Sequence, residues 1–363
     1  MSLFKDDFFF LGQIVLQPTT VCNLNCSYCY LPSRDKNLKM DSRLTVNLAQ
    51  SLSDLSLEYN VPLIWHGGEP LAYGIDHFVK LIEPLEKLRK EGKISHCVQT
   101  NGTLIDDRWC EFFKNYGFEV GVSIDGPQLL NSNRVDWQGN DSFNKIMRGI
   151  SLLRTHRINF TCIAVITNDA LQEARDIYNF FCQIGCESVG INLEERMGKN
   201  LNSAHGEEVT TFWEELFKAW QENPQVRVRE FTNILQWMGS LIGETEAIPN
   251  RTDIFPTIGW DGSVVLLSPE ILGAQSLLYN NFVAGNLLKD DLSTILERGQ
   301  KSRYIREYRQ GVERCRSECK FFDYCRGGQA SNKFFELGDI TATETTHCRN
   351  SQQTPVEVVL KWL

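Results

Sequence analysis

Three cysteines stand close together in the segment Val21-Cys22-Asn23-Leu24-Asn25-Cys26-Ser27-Tyr28-Cys29-Tyr30. The segment follows Gln13–Gln17, whose alternation of polar and apolar residues predicts the first strand of a sheet. Three thiolates this close in sequence fit together only where the loop wraps a common centre. A [4Fe–4S] cluster takes one thiolate on each iron, so three cysteines leave one iron open to another ligand. A structural zinc site would need a fourth local ligand, and no further Cys or His occurs before His66.

The first half of the chain alternates predicted strands with amphipathic helices, which is typical of a parallel sheet with helices outside it. The predicted strands are Gln13–Gln17, Val61–Trp65, Ile94–Gln99, Glu119–Ile124, Asn159–Ile166 and Ser188–Leu193. The predicted helices are Ser42–Tyr59, Ile75–Glu91, Asp106–Tyr116, Ser142–His156 and Leu171–Ile184. Six units are too few to close an eight-stranded barrel, so we predict an α/β fold with an open, partial (β/α)6 barrel. In such folds functional residues gather at the carboxyl ends of the strands.

Composition divides the chain into three predicted parts. Residues 1–195 hold the partial barrel, residues 196–248 form a linker with bridging helices, and residues 249–363 form a smaller C-terminal domain. After residue 195 the sequence predicts helices at Val209–Gln221 and Phe231–Ile242. A hairpin with its turn at Asp261-Gly262 and a helix at Leu292–Gln310 are predicted after them.

Charge and cysteine content indicate where the protein works. The chain of 363 residues has a formal net charge of −9 and no long basic run, which argues against nucleic acid and anionic membranes as partners. The apolar stretch Phe8-Phe9-Phe10-Leu11 follows two aspartates, unlike a signal peptide, and no apolar run of about 18 residues predicts a membrane span. We therefore expect a cytoplasmic protein whose twelve cysteines are reduced and partly bind metal.

The pattern C-x3-C-x-aromatic-C, with Tyr28 at the aromatic position, resembles the motif of the radical S-adenosylmethionine (SAM) superfamily. The resemblance implies that the amino and carboxylate groups of SAM bind the open iron. It also implies that one electron from the cluster cleaves SAM into methionine and a 5′-deoxyadenosyl radical. The expected cofactors of this loop are therefore SAM and a [4Fe–4S] cluster on Cys22, Cys26 and Cys29.

Further motifs of the superfamily follow other predicted strands. His66-Gly67-Gly68-Glu69-Pro70 is similar to the GGEP loop, whose backbone meets the ammonium group of SAM in the family, and glycines permit that close approach. In related peptide-modifying members, a serine and an arginine at the places of Ser123 and Arg134 contact the ribose and the methionyl carboxylate. An ordinary solvated arginine is the alternative for Arg134. The residues expected to contact SAM are His66, Gly67, Gly68, Glu69, Ser123, Arg134 and Leu193, the last against adenine.

A second group of cysteines stands near the C terminus, at Cys315, Cys319, Cys325 and Cys348. Four thiolates can occupy every iron of a second [4Fe–4S] cluster, which would carry electrons rather than bind SAM. A zinc site with four cysteine ligands is the alternative. The other five cysteines are better explained as small buried side chains; they are Cys97, Cys110, Cys162, Cys182 and Cys186.

The C-terminal region resembles the SPASM domain, which in its full form carries two auxiliary clusters. A full domain has a cysteine ahead of the hairpin, one just after it and one shortly after the position of Cys325. Here these places read Asp253–Thr257, Leu266-Leu267-Ser268 and Arg326–Gln329, without a cysteine. Joint loss of these ligands indicates a discarded cluster, so we predict a SPASM/twitch-like domain and two [4Fe–4S] clusters in total.

The last fifty residues and Ser268-Pro269-Glu270 resemble the GRRM-type maturases of ribosomally made peptides. That group includes enzymes that join an aromatic ring to a neighbouring side chain in a cyclophane. The resemblance implies abstraction of a side-chain β-hydrogen, addition of the carbon radical to a ring, and loss of one proton and one electron. Glu270 is the first candidate for the base, with Glu194 and Glu195 second; a solvated surface carboxylate is the alternative for each.

Three other functions stay open on the sequence. A maturase could instead oxidise serine or cysteine as the anaerobic sulfatase-maturating enzymes do, or form thioethers or epimerise residues. A non-enzymatic iron–sulfur carrier is disfavoured, because a carrier has no use for an open iron. The expected partners are a precursor peptide and an external electron donor such as flavodoxin or ferredoxin. Only 21 residues precede Cys22, so we expect precursor binding by the core itself, for example by strand addition, or by a separate protein.

Overall fold

The computed structural model describes residues 10–243, without 56 and 58, and residues 253–363. In chain order its strands are β1 (Phe10–Leu11), β2 (Ile14–Leu16), β3 (Val61–Trp65), β4 (Ile94–Thr100), β5 (Phe118–Ser123), β6 (Phe160–Ile166), β7 (Ser188–Leu193), β8 (Arg227–Val228), β9 (Asp253–Ile254), β10 (Thr257–Ile258), β11 (Ser263–Val265) and β12 (Gly285–Asn286). Its helices are α1 (Ser42–Asp54), α2 (Ile75–Ile82), α3 (Glu86–Lys90), α4 (Asp107–Tyr116), α5 (Phe143–Thr155), α6 (Ala174–Ile184), α7 (Glu208–Glu222), α8 (Arg229–Leu241), α9 (Leu292–Gln300), α10 (Arg303–Glu318), α11 (Phe322–Cys325), α12 (Ala330–Leu337) and α13 (Thr354–Trp362).

The predicted partial barrel is confirmed. Strands β2 to β7 pair in parallel in chain order, and each is separated from the next by helices. In β4 and β6 alternate side chains are buried, because successive residues of a strand point to opposite faces of the sheet. All the carboxyl ends therefore lie along one edge, where the loops that carry the sequence motifs come together.

The sheet is larger than the sequence predicts. It contains ten strands in the described residues, in the order β12-β11-β10-β2-β3-β4-β5-β6-β7-β8. The predicted hairpin forms β10 and β11, and β10 pairs in parallel with β2 through Thr257 and Val15. The C-terminal region therefore extends the sheet of the barrel. Pairing between segments so distant in sequence leaves no local pattern, which is why it escaped prediction.

Two predicted helices are interrupted in the structure. The helix predicted at Leu292–Gln310 is two helices, α9 and α10, because Ser302 is extended and its hydroxyl caps the N terminus of α10. The helix predicted at Ile75–Glu91 is broken into α2, a tight turn at Glu83–Leu85 and α3, since Pro84 cannot donate a helical hydrogen bond.

Other boundaries differ by a few residues. The helix predicted from Leu171 begins at Ala174, after a short turn at Asn168–Ala170. Helix α1 ends at Asp54, and part of its predicted extension lies outside the described residues. The predicted domain boundary at residue 249 also lies outside them, so the three-part division stays a prediction. Within the described ranges no helix has both the length and the apolar character that crossing a bilayer requires.

Candidate active site

One cavity of about 320 Å³ opens at the carboxyl ends of β3 to β7. Most of the residues singled out from the sequence line it: Cys22, Cys26, Cys29, His66, Gly68, Glu69, Ser123, Arg134, Leu193, Glu194, Glu195 and Glu270. Gly67 does not line the cavity and instead lies against the side chain of Gln17. The predicted cysteine loop, the predicted SAM contacts and the three candidate bases are therefore brought into one space.

The cysteine loop is held by a second loop that follows β5. The backbone N–H of Asn25 donates to the carbonyl of Val135 at 2.7 Å, and that of Ser27 donates to Asn133 at 3.2 Å. The indole N–H of Trp137 donates to the carbonyl oxygen of Cys22 at 2.8 Å. The backbone around the cysteines is thus positioned by hydrogen bonds from a segment about 110 residues away in sequence.

The three thiols fit a positively charged inorganic centre. Burial raises the pKa of Cys22 to about 12 and that of Cys26 to about 11, so bare thiolates are unfavourable at these positions. Iron would supply the positive charge that keeps the sulfurs ionised. Among the described residues no three Cys, His, Asp or Glu side chains are arranged to hold a single metal ion.

Gly68 brings the GGEP loop against the segment that leads to Cys22. Its φ is +60°, and a Cβ added there would lie 2.6 Å from the carbonyl oxygens of Thr19 and Val21. The next residue, Glu69, donates its backbone N–H to the carbonyl of Val21 at 2.8 Å. Only glycine fits this contact, because any side chain would push the two loops apart.

The carboxylate of Glu69 fastens the GGEP loop to the end of β4. It is almost fully buried, and it accepts hydrogen bonds from the hydroxyl of Thr100 and the N–H of Asn101, both at 2.7 Å, and from the N–H of Leu71 at 3.0 Å. Burial raises its pKa, against the opposing effect of these three donors. Its predicted contact with SAM stays a prediction; the structure gives the side chain a role in holding the loop.

Arg134 is buried and is not the solvated arginine of the alternative interpretation. Its Nη2 donates to Oδ1 of Asp125 at 2.8 Å, while its Nε is buried without a partner in the described part of the chain. The guanidinium lies 5.5 Å from the ring centroid of Tyr28, whose hydroxyl donates to Asp125 at 2.6 Å. Asp125 therefore orients both the arginine and the aromatic residue of the cysteine motif, and one N–H of the arginine is left for a ligand.

His66 is neutral in this environment. Burial lowers its pKa to about 4, and its Nε2 lies 3.1 Å from the hydroxyl of Tyr30. Ser123 accepts a hydrogen bond from the amide of Gln99 at 2.8 Å. Both side chains thus keep polar atoms at the wall of the cavity without adding charge to it.

The three candidate bases differ in how they are paired. The Oε2 atom of Glu270 is buried and has no hydrogen-bond partner among the described residues. Burial, with a smaller effect from the charge of Glu195, raises the pKa of Glu270 to about 7. Glu195 contacts the amide of Asn332 and lies 2.8 Å from Nδ1 of His347, and Glu194 accepts a hydrogen bond at 3.3 Å. Glu270 is therefore the carboxylate whose pKa and free oxygen suit proton transfer near neutral pH.

The four C-terminal cysteines line a second, smaller cavity together. Cys315 lies on α10 and Cys325 at the end of α11, while Cys348 begins a wide helical turn at Cys348–Gln353. Burial raises the pKa of Cys325 to about 11, so here too an ionised sulfur needs a positive partner. The fold thus brings Cys315 and Cys348, 33 positions apart in sequence, to the same cavity. This supports the prediction that the four cysteines bind one cluster.

The roles of three residues at the site could not be predicted from the sequence: Asp125, Trp137 and His347. Asp125 lies inside the quoted motif Ser123–Pro127, but its role depends on Tyr28 and Arg134 reaching the same carboxylate. Trp137 contacts the site from a turn and His347 from the helical segment just before Cys348, and neither belongs to a recognised motif. The five cysteines predicted to bind no metal are free thiols; Cys110, Cys162 and Cys186 are buried as expected, whereas Cys97 and Cys182 are only partly buried.

Comparison with known proteins identifies the class. Residues 16–181 match the Radical SAM superfamily. The chain is also 34% identical, over 96% of its length and 90% of the relative, to the uncharacterized protein sll1766 of Synechocystis sp.. The chain belongs to the radical SAM superfamily, which implies a [4Fe–4S] cluster and SAM as its cofactors. The assignment of the cluster to Cys22, Cys26 and Cys29 stays a prediction.

Within the superfamily the chain is close to maturases of proteins. It is 28% identical to the serine-type anaerobic sulfatase-maturating enzyme of Bacteroides thetaiotaomicron, over 90% of this chain and 84% of that one. The structure of anSMEcpe with bound AdoMet and Cp18Cys peptide has the same fold, with a TM-score of 0.78, 23% identity and coverage of 96% of this chain and 97% of that one. The chain is thus an enzyme related to the anaerobic sulfatase-maturating enzymes.

Proposed function

We propose that this enzyme matures a ribosomally made precursor peptide by joining a side-chain β-carbon to an aromatic ring. The observation that carries the proposal is the position of Glu270 in the same cavity as Cys22, Cys26 and Cys29. A ring that has gained a carbon–carbon bond must lose a proton to become aromatic again. A buried carboxylate with a free oxygen and a pKa of about 7 is suited to accept it.

The residues of the barrel are proposed to hold and orient SAM. When bound, the cluster and SAM supply the 5′-deoxyadenosyl radical that removes one hydrogen atom from the substrate. Arg134, kept charged and in place by Asp125, offers its free N–H to the carboxylate of SAM. Ser123 and Leu193 line the same cavity and are proposed to contact the ribose and the adenine, while Gly68 keeps the loop close to the cysteines.

The electron released with the proton needs an acceptor. We propose that Cys315, Cys319, Cys325 and Cys348 hold a second [4Fe–4S] cluster, whose chemistry is to take up that electron. Their convergence on one cavity supports this assignment over four unrelated thiols. The net change in the peptide is then the loss of two hydrogens, one as an atom and one as a proton and an electron. An external flavodoxin or ferredoxin is proposed to supply the electrons for SAM cleavage.

A second candidate is oxidation of a serine or cysteine side chain, favoured by the 28% identity to a sulfatase-maturating enzyme. Oxidation of serine to an aldehyde also removes two hydrogens, so the mass of the product does not separate the two reactions. An aldehyde reacts with a hydrazide reagent, and a carbon–carbon cross-link does not. A cross-link also suppresses backbone fragments between the joined residues in tandem mass spectrometry.

The test uses anaerobically reconstituted enzyme, reductant and SAM with two peptides. One is a short peptide with repeated aromatic residues, and the other carries the serine or cysteine of a sulfatase active site. We expect 5′-deoxyadenosine and a hydrazide-inert product lacking two hydrogens from the first peptide only. A hydrazide-reactive product from the second peptide would replace the cyclophane proposal with the sulfatase-type one. The C22A variant, which lacks one ligand of the SAM-binding cluster, is the control without radical formation.

A further inference from the structure

Lys333 is fully buried beside the second group of cysteines. It lies on α12 with no exposed surface, and its Nζ is 3.8 Å from Sγ of Cys315. No carboxylate in the described part of the chain lies within 4 Å of this ammonium group. The pKa of Asp339 is lowered mainly by hydrogen bonds from Thr341 and to a smaller extent by the charges of Arg314 and Lys333, so this carboxylate offsets the buried ammonium only from beyond 4 Å. A buried ammonium is costly, so a closer negative group would stabilise it further.

The surroundings of Lys333 are built to accept an ammonium group. Its Nζ lies 5.6 Å from the ring centroid of Tyr308, a favourable position for a cation over an aromatic face. Gly311 leaves room for it, since a Cβ there would lie 3.2 Å from Nζ. The backbone of Gly328 lies close to both Cys348 and Lys333. A Cβ there would lie 3.4 Å from Sγ of Cys348 and 4.0 Å from Cε of Lys333.

We propose that Lys333 is a positioning residue that raises the reduction potential of the second cluster. The inference rests on the proposed function of Cys315, Cys319, Cys325 and Cys348 as its ligands. Four thiolates outweigh the positive charge of the core, so the cluster would place a negative group next to the buried ammonium, closer than the carboxylate of Asp339. The reduced cluster carries one more negative charge than the oxidised cluster. The fixed positive charge of Lys333 beside Cys315 therefore stabilises the reduced cluster more than the oxidised one.

The consequence concerns which way the electron moves. A higher potential favours transfer of the electron from the substrate radical to the cluster, which is the step that completes the proposed reaction. Lys333 does not contact the cavity at the carboxyl ends of the barrel strands. Its effect is therefore expected on the potential of the cluster and on product formation, and not on SAM cleavage in the absence of peptide.

The test compares three variants of the full chain after anaerobic reconstitution. K333M removes the charge of Lys333 with a side chain of similar length, and K333R keeps the charge. K320M is the control: it removes the charge of Lys320, which is next to Cys319 in sequence and whose side chain is 76% exposed. The reduced fraction of the second cluster is followed by electron paramagnetic resonance in a redox titration. We expect K333M to lower the ratio of reduced to oxidised cluster at a fixed potential by about tenfold or more. K333R and K320M should stay within about twofold of wild type, since the first keeps the charge and the second is screened by water.

The outcomes separate this inference from the assignment of the cluster. An unchanged ratio in K333M at full iron content overturns the role of Lys333 and leaves the second cluster in place. A shift in K333R as large as that in K333M overturns it too, because packing rather than charge would then matter. If K333M does not retain its iron, K333Q takes its place as the variant without the charge, and a ratio equal to that of wild type in K333Q overturns the role of Lys333. If C325A and C348A leave the iron content of the chain unchanged, the second cluster itself is wrong and the inference fails with it.

Discussion

Nη2 of Arg134 donates to Oδ1 of Asp125 at 2.8 Å, and both side chains are almost fully buried at the wall of the cavity. The second oxygen of Asp125 accepts the hydroxyl of Tyr28, so one carboxylate connects the cysteine motif to the arginine proposed to bind SAM. A buried ion pair that loses one partner leaves an uncompensated charge. The pair therefore links the stability of the barrel to the geometry of the cofactor site.

D125N tests this pair. We expect it to lower the free energy of unfolding by about 3–5 kcal/mol, because Arg134 keeps its charge without a buried counter-ion. We also expect weaker SAM binding, measured by isothermal titration, since Arg134 and Tyr28 lose their common acceptor. The control is D76N, which breaks the exposed contact of Asp76 with Arg108 and should change neither measurement. Wild-type stability in D125N would contradict the structural role given to the pair.

G68A tests the close approach of the GGEP loop to the cysteine loop. We expect a loss of roughly 3 kcal/mol or more in unfolding free energy, because the new Cβ meets two carbonyl oxygens as well as an unfavourable φ. G92A is the matched control, with a similar positive φ and no neighbour within 4 Å, and should cost about 1–2 kcal/mol. Chemical denaturation measures both, and equal losses would show that the contact with Thr19 and Val21 is unimportant.

C29A tests the division of iron between two sites. Wild type is expected to bind about eight irons per chain and C29A about four, with no 5′-deoxyadenosine formed by the variant. C325A should also bind about four irons but still cleave SAM, since its loss affects the other site. C110A, which removes a buried thiol in α4, should keep all the iron. Full iron content in C29A would contradict the assignment of the cysteine loop.

E270Q tests the base through the pH dependence of the reaction. In wild type, formation of the cross-linked peptide should rise as the pH increases through about 7, because Glu270 must be ionised to accept a proton. E270Q should form 5′-deoxyadenosine but at least about a hundredfold less cross-linked product. E195Q is the comparison, since Glu195 is already paired with Asn332 and His347 and should lower the yield less. Wild-type yield in E270Q would exclude Glu270 as the base.

The same substitution should change the pH dependence of stability. The pKa of Glu270 is raised from 4.5 to about 7 on folding, so the folded chain holds the proton more tightly than the unfolded chain between these values. The unfolding free energy of wild type should therefore fall as the pH rises from about 4.5 through about 7. In E270Q that contribution, up to roughly 3 kcal/mol, should be absent. Denaturation curves of wild type and E270Q at pH 5 and at pH 8 give the change in unfolding free energy between the two pH values. An equal change in both proteins would contradict the raised pKa of Glu270.

Local patterns accounted for most of the barrel. The six alternating strands and the loop motifs at their ends were predictable, because strand periodicity and glycine turns depend on residues close together in sequence. The break at Ser302 was missed because a helix cap depends on the conformation of one residue within an otherwise helical pattern. The role of Asp125 was missed because its partners, Tyr28 and Arg134, reach it only after the chain has folded.

Residue types and spacings were enough to predict the superfamily and the cysteine ligands, since cluster chemistry needs particular residue types at short spacings. The tertiary structure alone decided that β10 extends the sheet beside β2, that Glu270 faces the cysteine loop, and that Lys333 lies beside Cys315. The physical reason is that burial and charge balance arise from contacts between distant segments. Those contacts set the pKa of Glu270 and the partners of Lys333, and no local pattern records them.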